Sequence, residues 1–220
     1  LLPVWMLLQP RDFINGMQLL VGLFLLYGAV FFSLPDITAP AFNTQTAIDS
    51  PSLIPLLFVT IACGAISGFH CLVASGTSSK QLARETDARF VGYGSMLTEG
   101  FLATIVILAC IAGLGLGVTG DSGVLLGQAA WESRYTSWSE AGGLASKLHA
   151  FVDGSSNFLE SMGISELISL AIMGVLVASF AATTLDSSTR VQRYIVSELF
   201  LSTPFSWLKQ NNLGIKSVYI

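Results

Sequence analysis

Two side chains in this sequence could carry a proton, and both lie in apolar surroundings. His70 follows Gly64 and Gly68, with Ser67 between them, inside the hydrophobic run 53–75. Glu99 lies inside the hydrophobic run 95–118. Imidazole titrates closest to neutral pH of the ordinary side chains, so a buried histidine can take or pass a proton. An isolated charge at mid-bilayer costs about 2.5–3.5 kcal/mol on insertion scales, so Glu99 must be paired, protonated or in a wet cavity. It could pair with a ligand ammonium or relay a coupling proton. Unwinding at Gly64 to Gly68 would free backbone N–H and C=O groups, and a half-helix N-terminus there would face a carboxylate with its positive end. Ser67, Ser75 and Thr77 would add hydroxyl donors to the same place. A second polar group, Thr183, Thr184 and Asp186, ends the run 165–185 and has the composition of a gate or an ion site.

Each of these features has a plainer explanation. Gly64 and Gly68 form a small-xxx-small pair, a common helix-packing face. His70 could be an interhelical hydrogen-bond partner. Glu99, placed near one end of its run, could snorkel or pair with Arg89. Asp186 could cap a following helix, or pair with Arg190 four residues on.

The elements that must position these groups are membrane helices. Of the 220 residues, 52% are hydrophobic and 11% charged, and the mean hydropathy is +0.68. A soluble domain carries about 25% charged residues, so the class is a polytopic α-helical membrane protein in a lipid bilayer. The net charge of −4 offers nothing to a nucleic acid. Cys63, Cys71 and Cys110 all fall in apolar runs without metal-ligand spacing, and read as reduced core residues. Leu1 to Leu8 resembles the cut end of a transmembrane helix, so the sequence reads as an internal piece of a larger protein.

Four spans are expected, at about 13–34, 53–75, 95–118 and 165–185. Gln9 to Asp12 reads as a polar turn before the first. Asn15 and Gln18, near its start, suit capping or helix–helix hydrogen bonds. Gly113, Gly115 and Gly117 predict a loose or closely packed end for the third span. Residues 119–163 form a polar segment. Leu144, Leu148, Phe151 and Val152 share one helical face there, predicting an amphipathic helix across the membrane surface or over the protein mouth. His149 reads as a surface residue. A further amphipathic helix is expected over 187–201. If all four runs cross, eight of the ten basic residues fall on one side and only Arg134 and Lys147 on the other. The majority side is then cytoplasmic.

Four stretches carry a family resemblance. They are G-A-I-S-G-F-H-C-L-V-A-S-G-T-S-S-K-Q-L from Gly64, D-A-R-F-V-G-Y-G-S-M-L-T-E-G from Asp87, L-P-V-W-M-L-L-Q-P-R-D-F-I-N from Leu2, and F-A-A-T-T-L-D-S-S-T-R-V-Q-R-Y from Phe180. In their order along the chain they resemble the carbon starvation protein A family, over nearly all of residues 1–201. Segment 119–163 departs most from that pattern. The resemblance implies an inner-membrane importer of peptides or of pyruvate, of the amino acid–polyamine–organocation type. It also implies inverted repeats, a discontinuous helix and a midplane site. Coupling to a proton, or to sodium, goes with that class, and further transmembrane helices of a longer chain would complete the site. No organic cofactor is implied.

Two other classes compete. An intramembrane enzyme wants paired acids in neighbouring spans or an H-E-x-x-H metal motif, and neither is in the sequence. A structural or channel-forming subunit needs no intramembrane acid and no broken helix.

Overall fold

A computed structural model of the protein describes residues 4–41, 53–66, 68–120, 123–135 and 143–202. Helix α1 spans Val4–Ser33 and includes Pro10. The polar turn expected at Gln9 to Asp12 is therefore helix, although an interior proline loses one backbone hydrogen bond and crowds the carbonyl four residues back, at a cost of about 3 kcal/mol. Helix α2 spans Leu53–Ala65, and α3 spans Gly68–Val73. A π-helical turn, Ala74–Ser78, follows, and α4 (Ser79–Gln81) ends the run. Helix α5 spans Asp87–Ile111 and a 3-10 turn Gly113–Leu116 continues it. An antiparallel hairpin of β1 (Val118–Gly120) and β2 (Gly123–Leu125) comes next, with Thr119 opposite Val124. Helix α6 spans Gln128–Arg134, α7 Leu144–Ser161 and α8 Glu166–Ser202.

Four helical stretches are long and apolar enough to cross a membrane: Pro10–Ser33, Ile54–Gln81, Asp87–Leu116 and Glu166–Arg193. Two element bounds differ most from the sequence-based expectation. The third long helix opens at Asp87 rather than Ser95, with Gly92 and Gly94 inside it. The helix expected separately at 187–201 is continuous with the fourth, so Asp186 is an interior residue of α8 and not its cap. At 37 residues α8 is about 55 Å long, well beyond a hydrocarbon core of about 30 Å.

The largest correction concerns α7. It was expected to lie across the membrane surface or over the protein mouth, and it is instead packed on α1, α5 and α8 at the centre of the described bundle. Phe158 and Leu159 are fully buried and join Leu26 of α1, Ile105 of α5 and Met173 of α8 in one core. The inward face is the predicted one only in part: Phe151 and Val152 pack into the core, whereas Leu144 and Leu148 are exposed. It consists of Ala150, Phe151, Gly154, Ser155, Phe158 and Leu159. Small residues make this possible. A Cβ on Gly154 would stand 2.8 Å from the Ala109 carbonyl carbon, and one on Gly113 equally close to that of Gly154. Lipid-embedded helices associate by close packing rather than hydrophobic exclusion, so backbone contact at these glycines holds α7 in. The Gly113 and Gly115 end of the third run is thus closely packed, Gly115 lying against the Thr38 side chain.

Candidate functional site

His70 and Glu99 meet. His70 Nε2 stands 3.6 Å from Glu99 Oε1, joining α3 to α5. Glu99 is the thirteenth residue of α5, roughly 18 Å along its axis from Asp87. It is therefore in the middle of its helix rather than near an end, and its carboxylate meets His70 and not Arg89. Both side chains keep more than half their surface free, 58% and 61%, in the chain by itself.

The elements beside this pair are irregular. Helix α2 ends at Ala65 and α3 starts at Gly68, whose missing Cβ faces open space, as does that of Gly64. Ser67 lies outside the described residues. One turn beyond His70 comes the π-helical turn, which the sequence reading missed; the run Ser75-Gly76-Thr77-Ser78, poor in helix formers, was its signal. π turns interrupt the regular backbone ladder and are frequent at functional sites. Ser75 donates to the Cys71 carbonyl at 3.0 Å and so spends its hydroxyl on its own helix. Thr77 Oγ1 is buried and finds no partner among the described residues. The π turn packs against α8.

The second polar group is larger than expected, because α1 contributes to it. Asn15 is buried and donates its amide to Thr183 Oγ1 at 2.5 Å. Ser179 donates its hydroxyl to Asn15 Oδ1. Arg11 reaches Thr183 Oγ1 at 3.5 Å. Asn15 is thus the helix–helix partner its position suggested. One turn further, Arg190 pairs with Asp186 at 2.7 Å and with Asp12 at 3.6 Å. The network locks the first and last long helices together at the end carrying most of the basic residues. Thr184 is not part of it: its hydroxyl donates to the Phe180 carbonyl at 3.1 Å, within α8. Thr183, Asp186 and Arg190 were legible as a motif; Arg11, Asp12 and Ser179 were not, since nothing local links them.

At the opposite end lies a cavity of about 500 Å³. It opens between the hairpin, α6, the C-terminal half of α7 and the start of α8. Arg134 Nη2 is 2.5 Å from Asp153 Oδ2 on its wall. Asn157 donates to the carbonyls of Gly113 at 2.9 Å and Gly117 at 2.6 Å, tying α7 to the 3-10 turn. Glu160 and Glu166 also line it, and partial burial with the nearby Glu166 carboxylate pushes the Glu160 carboxyl above its ordinary range. None of these residues was expected from the sequence to form a site, Arg134 having been read only for the side of the membrane it marks. The signal was there: Asp153, Asn157 and Glu160 recur at i, i+4 and i+7, a polar stripe beside the apolar face of α7.

The family model described as Carbon starvation protein CstA matches residues 1–218. The chain belongs to that family. Among curated relatives, a pyruvate/proton symporter, BtsT of Escherichia coli (strain K12), is 47% identical over 116 residues, covering 50% of this chain and 16% of the relative. A peptide transporter, CstA of Mycobacterium tuberculosis (strain ATCC 25618 / H37Rv), is 45% identical over 112 residues, 49% of this chain and 15% of the relative. The peptide transporter CstA of Escherichia coli (strain K12) is 42% identical over 120 residues, covering 52% of this chain and 17% of the relative. The matches thus span about a sixth of these relatives' lengths. No solved structure matches. With four helices suited to crossing a bilayer and relatives named as transporters, the CstA-family chain is a multi-pass membrane protein.

Proposed function

We propose that this chain is part of a proton-coupled secondary transporter that imports peptides or a small carboxylate such as pyruvate across the bacterial cytoplasmic membrane. The observation that carries the proposal is the His70–Glu99 pair, two titratable groups within 3.6 Å at mid-helix depth. A carboxylate in apolar surroundings is tolerated when it is protonated or faces a cation, and an imidazole beside it can accept that proton and return it. Protonation of the pair would then track the proton gradient, and the backbone around Gly64 and Gly68 would offer donors to the substrate carboxylate. Helices outside the present sequence would cover the exposed side of the pair. The Asn15–Thr183 and Asp12–Arg190–Asp186 contacts would close the cytoplasmic end in one state of an alternating-access cycle.

The test is labelled uptake into proteoliposomes holding the native-length protein. Pyruvate and dialanine are compared with and without an inward proton gradient, and with sodium replacing it. Accumulation that follows the proton gradient supports the proposal. Equilibration without accumulation would instead indicate a channel-forming subunit.

A further inference from the structure

The cavity between the hairpin, α6, α7 and α8 has a charge imbalance that none of its own groups corrects. Arg134 is matched by Asp153. Asn157 is engaged by two backbone carbonyls. Glu160 and Glu166 remain, and among the described residues no ion pair reaches either of them. Glu166 lies in the first turn of α8, where the helix dipole favours a carboxylate. Glu160 has no such support: it is at the end of α7, where the dipole opposes it. The uncompensated negative charge calls for a cation. Among the described residues no three His, Cys, Asp or Glu side chains are grouped to hold a metal ion. The volume, about 500 Å³, lies in the range of organic-ligand pockets. Leu116, Val118, Val124 and Leu170 give it an apolar wall.

We infer that this cavity binds the free ammonium end of a short peptide, with Glu160 and Glu166 as the ammonium acceptors. The apolar wall takes an aliphatic side chain. The site is separate from His70 and Glu99 and lies at the opposite end of the bundle from the Asp12–Arg190 contacts. Given the transporter function proposed above, on which this inference rests, it is the first stop of a peptide on the extracytoplasmic side. Pyruvate, which has no cation, gains nothing from it.

The test is equilibrium binding of labelled dialanine to the native-length protein in detergent, with N-acetyl-dialanine and pyruvate as competitors. Dialanine should bind, and N-acetylation, which removes the ammonium charge, should weaken competition at least about tenfold, the weight of one charge-assisted contact. Pyruvate should not compete. Glu160→Gln combined with Glu166→Gln should weaken dialanine binding by a similar factor while leaving proton-driven pyruvate uptake, if the wild type shows it, unchanged. Equal competition by the acetylated peptide overturns the inference and needs no variant. So does unaltered binding in a monodisperse double variant, or gradient-driven pyruvate uptake with no dialanine binding. In these last two cases the transporter function can still stand, since uptake is read separately. Loss of all uptake with ammonium-dependent binding intact would remove the transport function and keep the binding site.

Discussion

Asn15 of α1 donates its side-chain amide to Thr183 of α8, joining residues 168 positions apart in sequence. Ser179 closes the arrangement by donating to Asn15 Oδ1, so the amide serves both as donor and as acceptor. Asn15→Leu removes both contacts and leaves two hydroxyls with fewer partners. Interhelical hydrogen bonds in membranes are worth about 0.6–2 kcal/mol each. The variant should therefore unfold several degrees below wild type in a detergent thermal-shift experiment. An unchanged melting temperature would mean that packing alone joins these helices.

Arg190 is the only cation within ion-pair distance of either Asp12 or Asp186 among the described residues. Arg190→Gln leaves two carboxylates facing each other without compensation. If this contact closes the cytoplasmic end, vesicles preloaded with substrate should lose it faster without a gradient. The expected rise is roughly fivefold, the effect of about 1 kcal/mol on a two-state equilibrium. A leak equal to wild type would leave the contact a purely structural one.

Gly154 and Gly64 should respond in opposite ways to the same change. Gly154→Ala drives a methyl into the Ala109 backbone, an overpacking that costs about 1–3 kcal/mol and cannot be relieved by a rotamer. Gly64→Ala meets nothing within 4 Å, so folding and membrane insertion should persist. If local unwinding serves the substrate, Gly64→Ala nonetheless loses uptake, because alanine favours the continuous helix by about 1 kcal/mol. Normal uptake in that variant would return Gly64 and Gly68 to an ordinary packing role.

Glu160 makes a pH prediction with a definite sign. Its carboxyl is raised in the folded protein by partial burial and by Glu166. A raised acid favours the folded state at low pH, and that contribution is lost as pH rises from the ordinary glutamate value through the folded one. Glu160→Gln should therefore raise the melting temperature at pH 7 relative to wild type, and the gain should shrink as pH falls through 4.5, the ordinary value for glutamate. A gain that did not depend on pH would assign the effect to something other than this charge.

Much of the architecture could be read from hydropathy, because a bilayer demands long uncharged helices and few other structures satisfy the backbone there. The helix bounds were less legible. Asp87 to Gly94 looked polar and glycine-rich, yet it is the first part of α5: Asp87 lies in the first turn, where the helix dipole favours a carboxylate, and each interior glycine costs a helix only about 1 kcal/mol. The role of α7 was hidden for a different reason. Its buried face relies on Ala150, Gly154 and Ser155, and a hydrophobic count gives small residues little weight although they permit the closest approach. Leu144 and Leu148, which a hydrophobic count favours, are exposed. His70 and Glu99 could be named individually from their apolar surroundings. Their contact is a property of how α3 sits against α5, and no local pattern encodes it. The same holds for Arg11 and Asp12, which become part of the Thr183–Asp186 network only when α1 and α8 pack.

The central claim is that Glu99, held beside His70, couples transport to protons. Glu99→Gln keeps the shape of the side chain and removes its charge and its proton exchange. The decisive measurement is gradient-driven accumulation of the transported substrate by proteoliposomes holding this variant of the native-length protein, alongside substrate exchange at equal concentrations on both sides. We predict that accumulation falls to the no-gradient level while exchange persists. Accumulation at the wild-type level, from variant protein present in equal amount, would contradict the role assigned to Glu99.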